Sequence, residues 1–385
     1  MRVAQVTTWG QQCGIATYAE ELLTAQLGLS IQPLVLAPSE VGVGIREVSG
    51  IPWRSVWGRS SLNLGDELQA YLEGVNIVHF QHEDGLFRQP RAFLQALHQL
   101  NKICKVVVTL HTVWHYGGWE GSGFYDDLRE VADVIIVHTP EALAALSLAR
   151  SKRAKLIRIP HGTALSNDQP ADRAKGLELL GVPAAIAERI LEREVTLGLV
   201  QGFQGPSKNT VATIRGFATA ISQRLAPKSL LAISGEIGDN SMWWSVMQGV
   251  ATTTGYGNRI IISPSFVAPH QMQHVMAAAD WGVLNTCSWV LSSSGAAHLY
   301  AACGVPICVA NRPIYYEALQ GGAVPFDLEV DVGLPSRSLI NSIGALASSS
   351  ELRRGVGREM LEWAQRTSWE NVAKKHLELY KELMG

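Results

Sequence analysis

The feature that most restricts how this chain can fold is an alternation, met twice along its length, of short β-branched runs with stretches of helical periodicity. In the first half the runs are Val3 to Thr7, Pro33 to Ala37, Ile77 to Phe80, Lys105 to Leu110, Val134 to Val137 and Leu156 to Ile159. Between them Ile15 to Gln26, Leu62 to Leu72, Pro90 to Leu100 and Pro140 to Ala149 repeat apolar residues at helical spacing. That order is the signature of βαβ units on a parallel sheet. After a polar stretch holding Asn167 to Pro170 and a charged helix around Ala184 to Arg193, the alternation restarts with Thr196 to Val200, Leu230 to Ser234, Arg259 to Ile262, Trp281 to Leu284 and Pro306 to Ala310. The expected fold class is therefore α/β, with two Rossmann-like, doubly wound domains whose strand carboxyl ends face a cleft, where open α/β sheets bind ligands. The boundaries expected are 1–190, 191–362 and a terminal helical segment 363–385, with Ser368 capping a helix that begins near Trp369.

Composition removes several function classes. Of 385 residues 47% are hydrophobic and 17% charged, so each domain has material for its own core and disorder is not expected. A net charge of -2 with scattered basic residues lacks the footprint of a protein that grips nucleic acid by its phosphates. The five cysteines, Cys13, Cys104, Cys287, Cys303 and Cys308, have no C-x-x-C spacing and read as reduced thiols. No signal peptide is legible at the start, and no stretch reaches the roughly 18 apolar residues of a membrane span, so a cytoplasmic protein is expected. No repeat of solenoid or propeller length is visible.

Four segments carry chemistry. The loop WGQQCG ends at Gly14 and enters a helix whose free N–H groups can hold an anion or a polar sugar; an ordinary βα turn has the same form. The run VVVTLH ends on His111, with Thr112, Trp114 and His115 after it, so polar groups cluster at a strand carboxyl end; a buried, hydrogen-bonded histidine is the alternative. HFQHE supplies His79, His82 and Glu83, a spacing without a third ligand set for a metal, and reads as polar lining of an acceptor cleft. In LGLVQGFQGPSKN, Gly202 and Gly205 allow close backbone approach and Lys208 supplies a point charge for phosphate. In NTCSWVLSSSGAAHLYAACGVPICV, Ser292, Ser293, Ser294 and Gly295 precede a helix and form a diphosphate cradle, or a simple helix cap.

Taken in order, these segments and their neighbours resemble the group-1 family of retaining glycosyltransferases of GT-B architecture. The resemblance spans essentially the whole chain and rests on the Gly14 loop, TLHT (Thr109 to Thr112), VHTPEAL (Val137 to Leu143), IPHG (Ile159 to Gly162), GFQGPSKN (Gly202 to Asn209), SGE (Ser234 to Glu236), AAAD (Ala277 to Asp280), AACGVPI (Ala301 to Ile307) and the ending SWENVAKKHLELYKEL. It implies a hexose moved with retention from a UDP- or GDP-linked sugar to a hydroxyl of a glycan, lipid, small molecule or modified nucleic acid. No metal and no cofactor beyond the nucleotide-sugar co-substrate are implied. By the resemblance Lys208 neutralises the donor diphosphate, Gly14 lies near its phosphates and sugar, His111 lies near the reacting sugar, and the terminal helix crosses back to the N-terminal domain. His82, Glu83, Trp114 and His115 are the acceptor-side candidates.

The chain also departs from the family pattern. Phe203 stands where many members carry arginine, and Leu291 and Leu299 stand where they carry a pair of glutamates. Ser293, Ser294 and Gly295 resemble a Ser-Gly variant of that segment, and Glu317 in IYYEAL is a candidate ribose contact, a solvated helix-surface glutamate being its alternative. Two other readings follow: a nucleotide-sugar-binding protein without turnover, and an epimerase or hydrolase on the same architecture.

Overall fold

A computed structural model describes residues 1–11, 13–39, 50–114, 123–165, 171–235, 241–263 and 267–385. The chain divides into two compact units. The first comprises Met1–Gly162, Val290–Ser293 and Thr367–Gly385; the second comprises Thr163–Trp289 and Ser294–Arg366.

In the first unit β1 (Arg2–Val6), β2 (Gln32–Pro38), β3 (Trp53–Trp57), β4 (Ile77–His82), β5 (Lys105–Leu110), β7 (Val134–Val137) and β8 (Lys155–Arg158) form one parallel sheet in the order β3-β2-β1-β4-β5-β7-β8, while β6 (Thr112–Val113) stands apart. Side chains alternate across it. Val3, Ile77, Val107, Val134 and Ile136 pack with Tyr18 and Leu22 of the helix Gly14–Gln26 and with Val372, Ala373 and Tyr380 of the terminal helix Trp369–Met384. Ala4, Val6, Phe80, Val106 and Val108 lie on the opposite face, against Phe93 and Leu97 of the helix Pro90–Leu100. The terminal helix is capped as expected, Ser368 accepting from the Asn371 N–H at 3.3 Å. It returns to the first unit because Gly162, in IPHG, leaves room: a Cβ there would lie 2.1 Å from the Trp369 ring. β3 was not legible as a strand, since its arginine and serine interrupt the apolar run on a mostly exposed edge.

In the second unit lie β9 (Thr196–Gln201), β10 (Ser229–Ser234), β11 (Ile260–Ser263), β12 (Trp281–Leu284), β14 (Ile307–Ala310) and β15 (Val324–Phe326); between β12 and β14 the chain re-enters the first unit, where the short β13 (Leu291–Ser292) pairs antiparallel with β6. The main sheet is parallel, in the order β11-β10-β9-β12-β14-β15. β12 pairs with β9 only at Gly198 and Leu199. Where the two strands part, the Tyr300 hydroxyl donates to the Leu199 carbonyl at 2.7 Å and accepts from the Gln201 N–H at 3.1 Å, so the freed ladder groups keep partners.

The units meet the sequence at other positions than those expected. The helices Arg173–Leu179 and Ala184–Leu191 belong to the second unit, not to a domain ending at residue 190: Leu177, Leu180 and Ile190 enter its core, and a Cβ on Gly176 would lie 1.9 Å from the His274 carbonyl. The later division falls after Arg366 rather than 362, because the helix Ser350–Arg366 is continuous and buries Trp363 and Ala364 in the second core. Among the described residues no helix is long and apolar enough to cross a membrane.

Candidate active site

In each sheet the strand order reverses once, between β1 and β4 in the first unit and between β9 and β12 in the second. Beyond the carboxyl ends of such strand pairs an open α/β sheet leaves a crevice, bounded by loops that turn away to opposite faces. The loops leaving these four strands, and β5 beside them, hold most of the residues singled out from the sequence.

In the second unit the loop after β9 approaches the one after β10 backbone to backbone. Gly202 has φ +126° and its N–H donates to the Ser234 carbonyl at 3.2 Å. Gly235 has φ +141°, and a Cβ on it would lie 1.8 Å from the Gly202 carbonyl oxygen, so no side chain fits there. Gln204 locks the turn: its Nε2 donates to the Gly202 carbonyl at 2.9 Å and its Oε1 accepts from the Thr210 hydroxyl at 2.8 Å. Gly205 is extended, with φ -169°, and has open space where a Cβ would stand.

Lys208 follows in a single 3-10 turn, Pro206–Lys208, before the helix Thr210–Ser222 rather than inside it. Between them Asn209 sits in the left-handed region at φ 48°, which asparagine tolerates better than most residues, and its Oδ1 accepts from the Gly333 N–H at 2.9 Å. The loop after β12 holds the turn from the other side. The Thr286 hydroxyl and the Cys287 N–H both donate to the Ser207 carbonyl at 2.9 Å, and Asn285 Nδ2 donates to Thr213 Oγ1 at 3.2 Å. Lys208 therefore rides on a backbone fixed by groups that sequence reading passed over; the polar run Asn285, Thr286, Cys287 after an apolar strand was their only signal. The lysine is largely buried, burial lowers its pKa from the usual 10.5, and among the described residues no carboxylate pairs with it. A desolvated cation without a counter-charge is what an anion site requires.

The four-residue cradle is taken apart by the structure. Ser292 is the last residue of β13, and its hydroxyl donates to the His111 carbonyl at 2.5 Å. Ser294 caps the helix Gly295–Ala302, accepting from the Ala297 N–H at 3.3 Å. The chain passes from the first unit to the second between Ser293 and Ser294. Only Ser294 and the exposed Gly295 thus belong to the unit that carries Lys208, and the capping alternative holds for Ser294. Leu291 is buried in the first core and Leu299 packs against the second, so both positions are apolar in fact as well as in sequence. Phe203 is 59% exposed. Glu317 is buried in the first turn of the helix Tyr316–Gln320, which removes the solvated-surface reading. Beside it in the chain, the Arg312 guanidinium stacks 3.9 Å from the centre of the exposed Trp289 ring.

In the first unit Gly14 opens the helix Gly14–Gln26 and is exposed, with no atom within 4 Å of a built Cβ, while the Cys13 sulfur accepts from the Ala16 N–H at 3.4 Å as the cap. His111 is buried, its Nε2 lying 2.9 Å from Gln81 Oε1 and its ring edge-on to Tyr18 at 4.6 Å. Burial, and then the neighbouring His138, His161, His79 and His82, hold its pKa well below 6.5. It is a neutral, hydrogen-bonded imidazole. His82 corrects the acceptor reading. Strand alternation sends it to the opposite face from His79, where it stacks on Phe87 at 5.6 Å and packs on Phe93 and Phe124; burial pushes its pKa down to about 4, Asp84 acting against that. Glu83 is only partly buried, and burial pushes its carboxyl up to about 7, opposed by a hydrogen bond with Thr112 and reinforced by Asp84. Trp114 is 37% exposed and held at its edge, Nε1 donating to Asp84 Oδ2 at 2.6 Å. His115 lies outside the described residues.

Two doubly wound units, with the terminal helix packed on the first, constitute the GT-B architecture. No protein-family profile matches the sequence, and no curated protein does. Solved structures do match over the full length. The chain is similar to Anabaena HepE in complex with UDP-glucose (TM-score 0.74, 14% identity, 99% of this chain and 100% of that one). It is similar to a sucrose-phosphate synthase from Thermosynechococcus elongatus (0.71, 17%, 100% and 99%) and to a UDP-forming trehalose-phosphate synthase from Burkholderia xenovorans (0.74, 12%, 100% and 99%). These neighbours are GT-B glycosyltransferases, consistent with the family resemblance in the sequence, and at such identities they establish the fold.

Proposed function

We propose that the chain is a glycosyltransferase that moves a hexose from a UDP- or GDP-linked sugar to a hydroxyl acceptor, with retention and without a metal ion. The observation that carries this reading is Lys208: a desolvated cation with no carboxylate partner among the described residues, beyond the carboxyl end of β9, next to the strand-order reversal, on a turn fixed by Asn209, Thr286 and Cys287. The similarity in fold to UDP-sugar transferases supports it.

In this mechanism the bond between the sugar's anomeric carbon and the diphosphate oxygen breaks, and the electron pair leaves with the diphosphate. Lys208 and the N–H groups of the helix beginning at Gly295 stabilise the negative charge as it develops. The acceptor hydroxyl forms the new bond, and its proton passes to a departing phosphate oxygen. Glu317 is the candidate ribose contact, and Gly14 and His111 are assigned to the transferred sugar. The edge-held indole of Trp114 offers a stacking surface to an acceptor, and Glu83, next in the chain to the Asp84 that holds it, is a second acceptor-side candidate.

Release of free UDP or GDP from the sugar nucleotide, with and without acceptor, tests the reaction. A thermal-shift screen of the nucleotides identifies the base, since a ligand of the native state raises stability with its affinity. One charge-assisted hydrogen bond is worth about 1.5–3 kcal/mol, so Lys208→Met should weaken nucleotide binding roughly 10- to 150-fold. Unchanged affinity and turnover would remove the donor site from this loop. The second reading, a nucleotide-sugar binder without turnover, is favoured by Leu291 and Leu299: it expects binding with no nucleotide release under any acceptor.

A further inference from the structure

Strand alternation places Gln5, His79, Gln81 and Thr109 on the face of the first sheet that the terminal helix covers, with His111 following at the end of β5. All are buried, and they are joined by side-chain hydrogen bonds. His111 Nε2 lies 2.9 Å from Gln81 Oε1, Gln81 Nε2 lies 3.0 Å from Gln5 Oε1, and Gln5 Nε2 lies 3.3 Å from the Tyr380 hydroxyl. That hydroxyl is 2.6 Å from His79 Nδ1, and His79 Nε2 is 2.7 Å from Thr109 Oγ1.

With the two glutamine amides placed as these contacts have them, a consistent set of protons runs along the chain. An amide oxygen only accepts and an amide nitrogen only donates. Gln81 turns its oxygen to His111 and its nitrogen to the Gln5 oxygen. Gln5 then donates to Tyr380, Tyr380 donates to His79 Nδ1, and His79 Nε2 donates to Thr109. In this arrangement every donor points the same way, and the proton of His111 sits on Nε2. Turning both amides over together would reverse every donor and make His111 Nε2 the acceptor, so the tautomer of His111 reports which arrangement the protein holds.

We propose that Gln81, oriented by Gln5 and anchored through Tyr380 to the terminal helix, is a positioning residue that holds His111 in its Nε2-protonated tautomer and so presents the Nδ1 lone pair as an acceptor for a hydroxyl of the bound sugar. The ligand-facing half rests on the transferase reading; the tautomer half does not. A buried imidazole whose tautomer is fixed in advance pays no reorganisation when the ligand arrives. The terminal helix thereby has a structural route to His111 through Tyr380.

The experiment is a long-range proton–nitrogen spectrum of the full chain, uniformly nitrogen-labelled and without ligand, in which His111 is identified by its loss in His111→Gln. The expected result is a proton on Nε2 and a bare Nδ1. In Gln81→Met the tautomers mix and kcat falls tenfold or more, while the affinity for free nucleoside diphosphate stays within about twofold. Gln81→Glu, which keeps the accepting oxygen, restores the tautomer. A wild-type His111 protonated on Nδ1 overturns the proposal and needs no variant to fold; so does a tautomer unchanged in Gln81→Met. If instead the tautomer behaves as expected while His111→Ala retains full turnover, the tautomer assignment stands and the transferase role of His111 fails.

Discussion

Acidification should unfold the first unit at a pH where most proteins of this size are comfortable, because its histidines are buried as neutral rings. Burial pushes His82, His138 and His376 down to about 4, and holds His79 and His111 well below 6.5. Each folded pKa lies below its unfolded value, so the stabilisation is fully present above pH 6.5 and is lost as the pH falls toward 4, where the unfolded chain binds protons that the fold does not. A ring with pKa 4 folded and 6.5 unfolded loses about 2 kcal/mol between pH 7 and pH 5. Three such rings lose about 6 kcal/mol, comparable to the 5–15 kcal/mol that holds a typical domain together. Urea unfolding followed by tryptophan fluorescence from pH 8 to pH 4.5 reads the loss directly. The control is His82→Phe: the ring stacks on Phe87 with an interplanar angle of 8°, so phenylalanine preserves the packing and should flatten the profile by about 2 kcal/mol at pH 5. A stability that stays level from pH 7 to pH 5, or resonances of His82, His138 and His376 titrating near 6.5 in the folded protein, would refute the reasoning.

Glu83 carries the opposite sign. Its carboxyl is raised from 4.5 to about 7, so its contribution is present below pH 4.5 and lost as the pH rises through 7; Glu83→Gln should be more stable than wild type at pH 8 and show no gain on acidification to pH 6. Gly235→Ala forces a Cβ to 1.8 Å from the Gly202 oxygen at φ +141° and should cost at least about 2 kcal/mol, seen as a lowered Tm with weakened nucleotide binding. Gly14→Ala is the contrasting case: the space is open and helical alanine is favoured, so Tm should hold or rise while turnover falls, and unchanged turnover would separate Gly14 from the sugar. Lys208→Met should leave Tm level or higher at neutral pH, because burial of a charge that no described carboxylate matches opposes folding.

Local information decided most of the secondary structure. Apolar runs bounded by turn residues placed Lys105–Leu110, Val134–Val137 and Trp281–Leu284 at their observed limits, and Ser368 was legible as a cap because capping is a property of a few adjacent residues. The doubly wound pattern followed, and with it the loops in which ligand-binding groups had to be sought. Lys208 was singled out in this way.

Other assignments depended on which distant groups came together, and no local pattern holds that. His79 and His82, three residues apart in one strand, point to opposite faces: one joins Tyr380 of the terminal helix, the other a cluster of phenylalanines. The run of serines reads as one motif, yet Ser292 bonds the His111 carbonyl while Ser294 caps a helix of the other unit. Asn209, Thr286 and Cys287 acquire a role only because β9 and β12, some eighty residues apart in sequence, lie side by side. Sequence by itself therefore determined the elements, their order and the chemistry available in each loop. The tertiary structure alone decided which of those groups are buried, paired or left with an unmatched charge, because desolvation and hydrogen bonding depend on neighbours that the chain brings from far away.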